Sequence, residues 1–249
     1  PVSMVTSEPI FYENFSGDFF GHSSAGEARE TLLSCLLELF KHCIIIDKPA
    51  GVLVHSHPRF PNEIPLVQRL RDQIGQLVWP VHRLDRQTSG CLIFTTDKSQ
   101  IEPLAEALRQ GKKTYWAFVR GVFPQDETVL VDTPIKGKRA LSEVRCLARN
   151  AKPRCSLLEV KPKTGRNHQV RRHVRDLHHP ILHDGDHGDS RVNRWWRENR
   201  GLTRLALHAA EIHLVVNDQP LCVQSPLPTD LQSVFEKFDW WDTMATCLR

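Results

Sequence analysis

The chain has 249 residues, 40% of them hydrophobic, which is enough apolar material for one sizeable core. No run approaches the roughly 18 apolar residues of a membrane span, and the N-terminal apolar stretches lack a signal-peptide layout, so a soluble, cytoplasmic protein is expected. The 7 cysteines are odd in number and never spaced Cys-x-x-Cys, which argues against a disulfide framework or zinc knuckle, and a net charge of +4 alone is weak support for a polyanionic partner.

Residues 1–26 are polar, aromatic and punctuated by Gly and Ser without a period, which predicts an irregular arm. Leu32, Leu33, Leu36, Leu37, Leu39 and Phe40 then fall at helical spacing and predict an amphipathic helix over 27–42. Residues 1–42 are therefore set apart, with unknown role, from a domain covering 43–249. Ile44-Ile45-Ile46 followed by Asp47-Lys48-Pro49-Ala50-Gly51 reads as strand and turn. A helix near 64–74, strands near 77–84 and 91–95, and a helix near 98–110 follow. Further strands are expected near 113–120, 128–132, 141–148 and 155–161, then a helix over 166–177. Late strands near 205–216 and 220–224 precede a last helix over 229–238, introduced by Pro226 and Pro228. No repeat is evident, and strand runs with few helices indicate an α+β fold with a largely antiparallel sheet.

Within this order, His82-Arg83-Leu84-Asp85-Arg86-Gln87-Thr88-Ser89-Gly90 places one carboxylate between two guanidiniums before a turn. The flanking strands put Asp85 at a strand end, open to a cleft, with Arg83 on its face, and both arginines favour the charged carboxylate. An ordinary ion pair at a hairpin has the same composition. The 113–120 strand places Tyr115, one of two tyrosines, on a face with Ala117 and Val119. Thr164 is the expected N-cap of the next helix, on which His168, Arg171, Arg172 and Arg175 share one stripe opposite Val170, Val174 and Leu177. Such a cationic ridge suits a phosphate or carboxylate. Residues 161–204 carry 11 Lys+Arg against 5 Asp+Glu, a local +6, while the other 205 residues sum to −2. His178, His179, His183 and His187 with Asp184, Asp186 and Asp189 have metal-ligand chemistry, but Pro180, Gly185 and Gly188 break the helix that would align them, so no metal is expected. Arg191, Arg194, Arg197 and Arg200 interleave with Trp195 and Trp196, which reads equally as an RNA-stacking surface or as a helix burying two tryptophans.

The 82–90 run resembles the signature of the RluA family of pseudouridine synthases. Lys113 to Gly121 is similar to that family's second motif, Pro162 to His173 to its third, and Arg204-Leu205-Ala206-Leu207-His208-Ala209 to its late Leu-His-Ala strand, so the resemblance spans about residues 43–225. It implies a pseudouridine synthase core, a mixed sheet flanked by helices with a central catalytic cleft. Asp85 is then the catalytic residue, Tyr115 lies in the active site, and Arg171 holds Asp85 through a two-pronged hydrogen bond. Arg83 supports a flipped nucleotide, and Arg86, Arg166, His168, Arg172, Arg175 and Trp195 join it as RNA contacts. The reaction implied needs no cofactor and no metal. Asp85 as nucleophile and Asp85 as base at the ribose 2′ position both remain open. The arrangement over 171–204 and the Phe238-Asp239-Trp240-Trp241 tail is most similar to members acting on tRNA, with ribosomal RNA the alternative substrate. Two rivals from other classes are a catalytically silent RNA-binding protein and a phosphoesterase using the His/Asp cluster. One departure stands out: His183 occupies a position where the family has Gly, and strain results if that turn needs a positive φ.

Overall fold

The run Cys91-Leu92-Ile93-Phe94 is apolar at every position, the pattern of a strand covered on both faces. In a computed structural model describing residues 10–11, 43–216, 218–246 and 248, this run forms most of β4 (Ser89–Thr95), and every residue of β4 is buried. Cys91 and Ile93 join one core cluster with Leu104, Leu108 and Ile212. Leu92 and Phe94 join another with Ile44, Ile46, Leu66 and Leu70. The expected helix over 27–42 lies outside the described residues. So does the expected arm, except for Ile10–Phe11, which form a short strand, β1, rather than irregular chain.

The remaining elements follow the apolar periods closely. They are β2 (Cys43–Lys48), α1 (Leu66–Ile74), β3 (Trp79–Pro80), α2 (Ile101–Gln110), β5 (Lys112–Arg120), β6 (Val129–Val131), β7 (Ser142–Ala151) and β8 (Arg154–Pro162). Then come α3 (Gln169–Asp176), α4 (Ser190–Arg200), β9 (Leu207–Val216), β10 (Gln219–Gln224), α5 (Thr229–Phe235) and the short α6 (Trp241–Met244). The sheet runs β1-β10-β9-β5-β8-β7-β6, with β4 joining it through β9 and carrying β2 and β3. Only β1–β10 and β4–β9 pair in parallel among the described residues. The result is a mixed, mostly antiparallel sheet with flanking helices. No helix among the described residues is long and apolar enough to cross a membrane.

Two expectations about element ends fail. The strand expected over 77–84 shrinks to Trp79–Pro80, because Pro80 has no N–H for a ladder and the ring of His82 accepts the Ile93 N–H at 3.1 Å. Residues 81–88 therefore run as a loop, and Asp85 and Arg83 do not share a strand face. The last helix stops at Phe235, six residues before α6 begins, and the tail instead packs aromatic rings on β5. Phe118 meets Trp196, Phe235 and Phe238 edge-on with centroids 5.3, 5.0 and 5.6 Å away. Each such pair contributes about 0.5–1.5 kcal/mol beyond its burial.

The β4–β9 junction sets the position of the cleft loop. A side chain at Gly90 would place its Cβ within van der Waals overlap of the Ala209 backbone, and its φ is +112°, so only glycine permits this approach. Beside it, Arg204 donates to Ser89 Oγ at 3.0 Å. The ring of His208 bonds Ser89 Oγ at 2.9 Å and the Ser225 carbonyl at 3.0 Å. Because a carbonyl only accepts, His208 Nε2 carries the proton and Nδ1 accepts from Ser89.

That tautomer requires a neutral ring, and burial pushes His208 down from 6.5 to about 4 and His82 to about 3. Between those values and 6.5 the unfolded chain takes up protons that the fold refuses. Unfolding free energy measured in urea should therefore fall as pH drops from about 6.5 to 5, and His208→Gln should flatten the slope. A wild-type value constant over that interval would mean that the two rings are not held neutral.

Candidate active site

The motif loop, one end of β5 and the segment before α3 converge on a cleft of about 490 Å³. Asp85 enters from the loop, where the Thr88 N–H closes a turn on the Asp85 carbonyl at 3.0 Å. Tyr115 enters from β5 at a β-bulge, where the register against β9 shifts between Thr114 and Tyr115. A bulge of this kind re-aims a side chain. Burial, and secondarily the charge of Asp85, push the Tyr115 phenol well above its usual range.

Arg171, on α3, is buried at 6% exposure and donates from NH1 to Asp85 Oδ2 at 3.0 Å. The expected two-pronged bond to Asp85 is absent. The fork instead grips Asp184, through Nε to Oδ2 at 2.8 Å and NH2 to Oδ1 at 2.7 Å, and NH2 also reaches Asp186 at 2.7 Å. Burial works against the guanidinium's charge, but these carboxylates outweigh it and raise Arg171 above its ordinary value. Bonds from Arg171 likewise hold Asp184 and Asp186 below the usual carboxylate range, against burial that would raise them. Asp184 also accepts the backbone N–H groups of Asp186 and His187. Residue chemistry alone marks Asp184 and Asp186 only as metal candidates. The one sequence signal that Asp184 matters is the similarity of His179-Pro180-Ile181-Leu182-His183-Asp184 to the family's His-Pro-Ile-x-Gly-Asp.

Thr164 is not the N-cap of α3. Its hydroxyl accepts the Leu141 N–H at 3.1 Å and donates to Gln169 at 2.7 Å, so the helix begins only at Gln169. The cap position falls to His168, left-handed at φ +53°, a conformation costly for a residue with a Cβ. His168 lines the cleft, with Nε2 3.8 Å from Asp85 and Nδ1 3.1 Å from His187. The expected cationic ridge also dissolves, because Gln169, Arg171 and His173 are buried with Val170 and Val174. Arg175 pairs with Asp176, and Arg172 is only partly exposed.

Of the expected RNA contacts, Arg83, Arg166 and His168 line the cleft; Arg172, Arg175 and Trp195 do not. Arg86 is turned onto Glu63 in a salt bridge and lies 4.5 Å from the Phe60 ring centroid. Trp196 is core while Trp195 is 42% exposed, so each half of the double reading applies to one tryptophan. Arg109, Lys113 and Lys163 line the cleft unforeseen, placed there by α2 and by strand ends. The cleft thus holds six lysines and arginines with Asp85 as its sole carboxylate among the described residues. Arg109 and Lys163 have glutamate partners, whereas Arg83, Lys113 and Arg166 have no carboxylate partner among the described residues. The histidine cluster is not assembled for a metal: Asp184 and Asp186 face Arg171, Asp189 caps α4, and His179 donates to the Arg120 carbonyl at 2.9 Å. His183 does adopt positive φ, +60°, and the α4 residue Asn193 brackets that turn by accepting the His183 N–H and donating to the Asp184 carbonyl.

The chain matches the family model described as RNA pseudouridylate synthase over residues 42–176. It is 37% identical over 235 residues to a tRNA pseudouridine synthase C of Vibrio cholerae, covering 82% of this chain and 95% of that one. A tRNA pseudouridine synthase C of Yersinia pestis is 37% identical over 228 residues, covering 80% and 89%. Among solved structures, Human RNA Pseudouridylate Synthase Domain Containing 4 matches in fold with a TM-score of 0.62 at 22% identity, covering 84% and 96%.

The geometry separates the three carboxylates on Arg171 by burial. Asp184→Asn, at a side chain with 0% exposure, should cost about 3–5 kcal/mol, as expected when a buried pair loses one charge. Asp186→Asn, at 57% exposure, should cost under about 1 kcal/mol. Urea unfolding of both variants checks the order, and equal losses would remove Asp184 as the main anchor.

Proposed function

The chain belongs to the RNA pseudouridylate synthase family, and on that premise we propose that it isomerises a uridine of tRNA with Asp85, Tyr115 and Arg171 as its catalytic group. It is an isomerase acting on RNA. The reaction breaks the bond from ribose C1′ to uracil N1, turns the base, rejoins it through C5, and moves a proton from C5 to N1. The observation that carries the assignment of residues is the cleft's one carboxylate among the described residues, bonded to a buried guanidinium and surrounded by cations.

In this reading Asp85 acts on the ribose, as nucleophile or as base at the 2′ position, and Arg171 fixes the direction of its carboxylate. The target nucleotide leaves the RNA stack to enter the cleft, with Arg83 supporting the flipped form. Arg166 and His168 meet the RNA inside the cleft, and Arg172, Arg175 and Trp195 extend the contact outside it. Arg86 contributes indirectly, by tying the motif loop to Glu63. Tyr115 enters the reaction as a protonated phenol packed on the uracil. Burial is the main cause of the raised phenol value, so the hydroxyl stays neutral while it packs on the uracil and assists the passage of the C5 proton to N1. The names of the relatives support tRNA over ribosomal RNA.

Asp85→Asn should abolish isomerisation while RNA affinity stays within a few fold, as read by single-turnover assay and filter binding. Turnover at the wild-type rate would remove Asp85 from its role. Arg171→Lys should lower the rate at least about 10-fold more than Arg172→Lys, since an ammonium cannot span Asp85 and Asp184 together. Incubation with unmodified tRNA and, separately, ribosomal RNA fragments, followed by pseudouridine mapping, tests the substrate. Modification of ribosomal RNA alone rejects the tRNA assignment and leaves the enzyme class intact.

A further inference from the structure

We propose that Glu211, His213 and Cys222 form a zinc site on the outer face of the β9–β10 hairpin. The register sets His213 opposite Cys222, and Glu211 lies two residues back on the same face of β9. The intervening Ile212, with Leu214, Leu221 and Val223, points into the core, so the three polar side chains share the other face. Their ligand atoms lie within 4.8 Å of one another. Cys222 Sγ is 3.5 Å from His213 Nε2, and Glu211 Oε1 contacts the same nitrogen.

The sulfur–nitrogen separation fits one shared ion. Zinc bonds of about 2.3 Å to sulfur and 2.0–2.1 Å to nitrogen at a tetrahedral angle give an S···N edge of roughly 3.5 Å. One thiolate, one imidazole and one carboxylate suit a borderline-soft cation and exclude magnesium or calcium as the preferred occupant. The fourth position faces solvent, where His213 is 45% exposed. None of the three residues lines the cleft, so the site stands apart from the isomerase chemistry. Zinc binds the thiolate, so binding displaces the Cys222 thiol proton. The bound ion would clamp β9, whose first residues pair with β4 directly after the motif loop, to β10.

The test uses the full chain, stripped with a chelator and then titrated with zinc or cobalt alone. One equivalent should bind and raise the melting temperature by roughly 5 °C at saturation. Cobalt should show tetrahedral d–d bands with a thiolate charge-transfer band, and affinity should rise with pH as the thiol proton is displaced. Cys222→Ala and His213→Gln should each weaken zinc at least about 100-fold, and the metal-free melting temperature of each shows that the variant is folded. Failure to bind a first equivalent, or unchanged affinity and spectra in both variants, overturns the proposal.

Discussion

One guanidinium joins three separate pieces of this chain. Arg171 projects from α3, holds Asp85 of the motif loop with one nitrogen, and holds Asp184 and Asp186 of the loop before α4 with the others. A buried ion cluster roughly breaks even in stability against packed apolar side chains, so its value here lies in direction. A fork pinned by Asp184 leaves NH1 aimed at one place, and Asp85 occupies it. The carboxylate is therefore positioned by a residue that is itself positioned, with Asp184 anchored by backbone N–H groups and by Asn193 behind its carbonyl.

That arrangement needs the motif loop to lie against the sheet, and β9 provides the support. Gly90 allows the backbones of β4 and β9 to touch, and the Arg204, Ser89, His208 and Ser225 chain fastens the contact. Arg204 is in turn paired with Asp230 of α5 through two bonds, so α5 is tied to the start of β4, directly after the loop that carries Asp85. The aromatic cluster around Phe118 holds α4 and the C-terminal tail on β5, the strand that delivers Tyr115. Strain gathers in the same neighbourhood: His168 and His183 both take left-handed backbones beside the residues that position Asp85.

Elements with strong local periods are legible in the sequence. The helix at 101–110 and the strands at 112–120, 154–162 and 207–216 fall within a few residues of their expected places, because the local side-chain period, about 3.6 in a helix and 2 in a strand, decides which face is buried. Elements decided by a distant partner are not legible in the same way. Trp79–Pro80 loses its continuation because the ring of His82 takes the Ile93 N–H. The start of α3 moves because the Thr164 hydroxyl is committed to Leu141 and Gln169. A hydroxyl's preference for a cap is local, but the competing Leu141 lies more than twenty residues away.

The sequence by itself determined the alternation of strands and helices, the family resemblance, and the identity of the three residues that meet in the cleft. Tertiary structure alone decided how they meet. Nothing in the order of residues could say that the fork of Arg171 belongs to Asp184, that Arg86 turns to Glu63, or that Trp195 and Trp196 divide between surface and core. Nor could it reveal the Glu211, His213 and Cys222 cluster, whose members sit on two strands and meet only across the hairpin. The physical reason is common to all four. A side chain's chemistry is fixed by its own atoms, whereas its partner is chosen by geometry among many groups of suitable charge, and geometry is set only when the sheet closes.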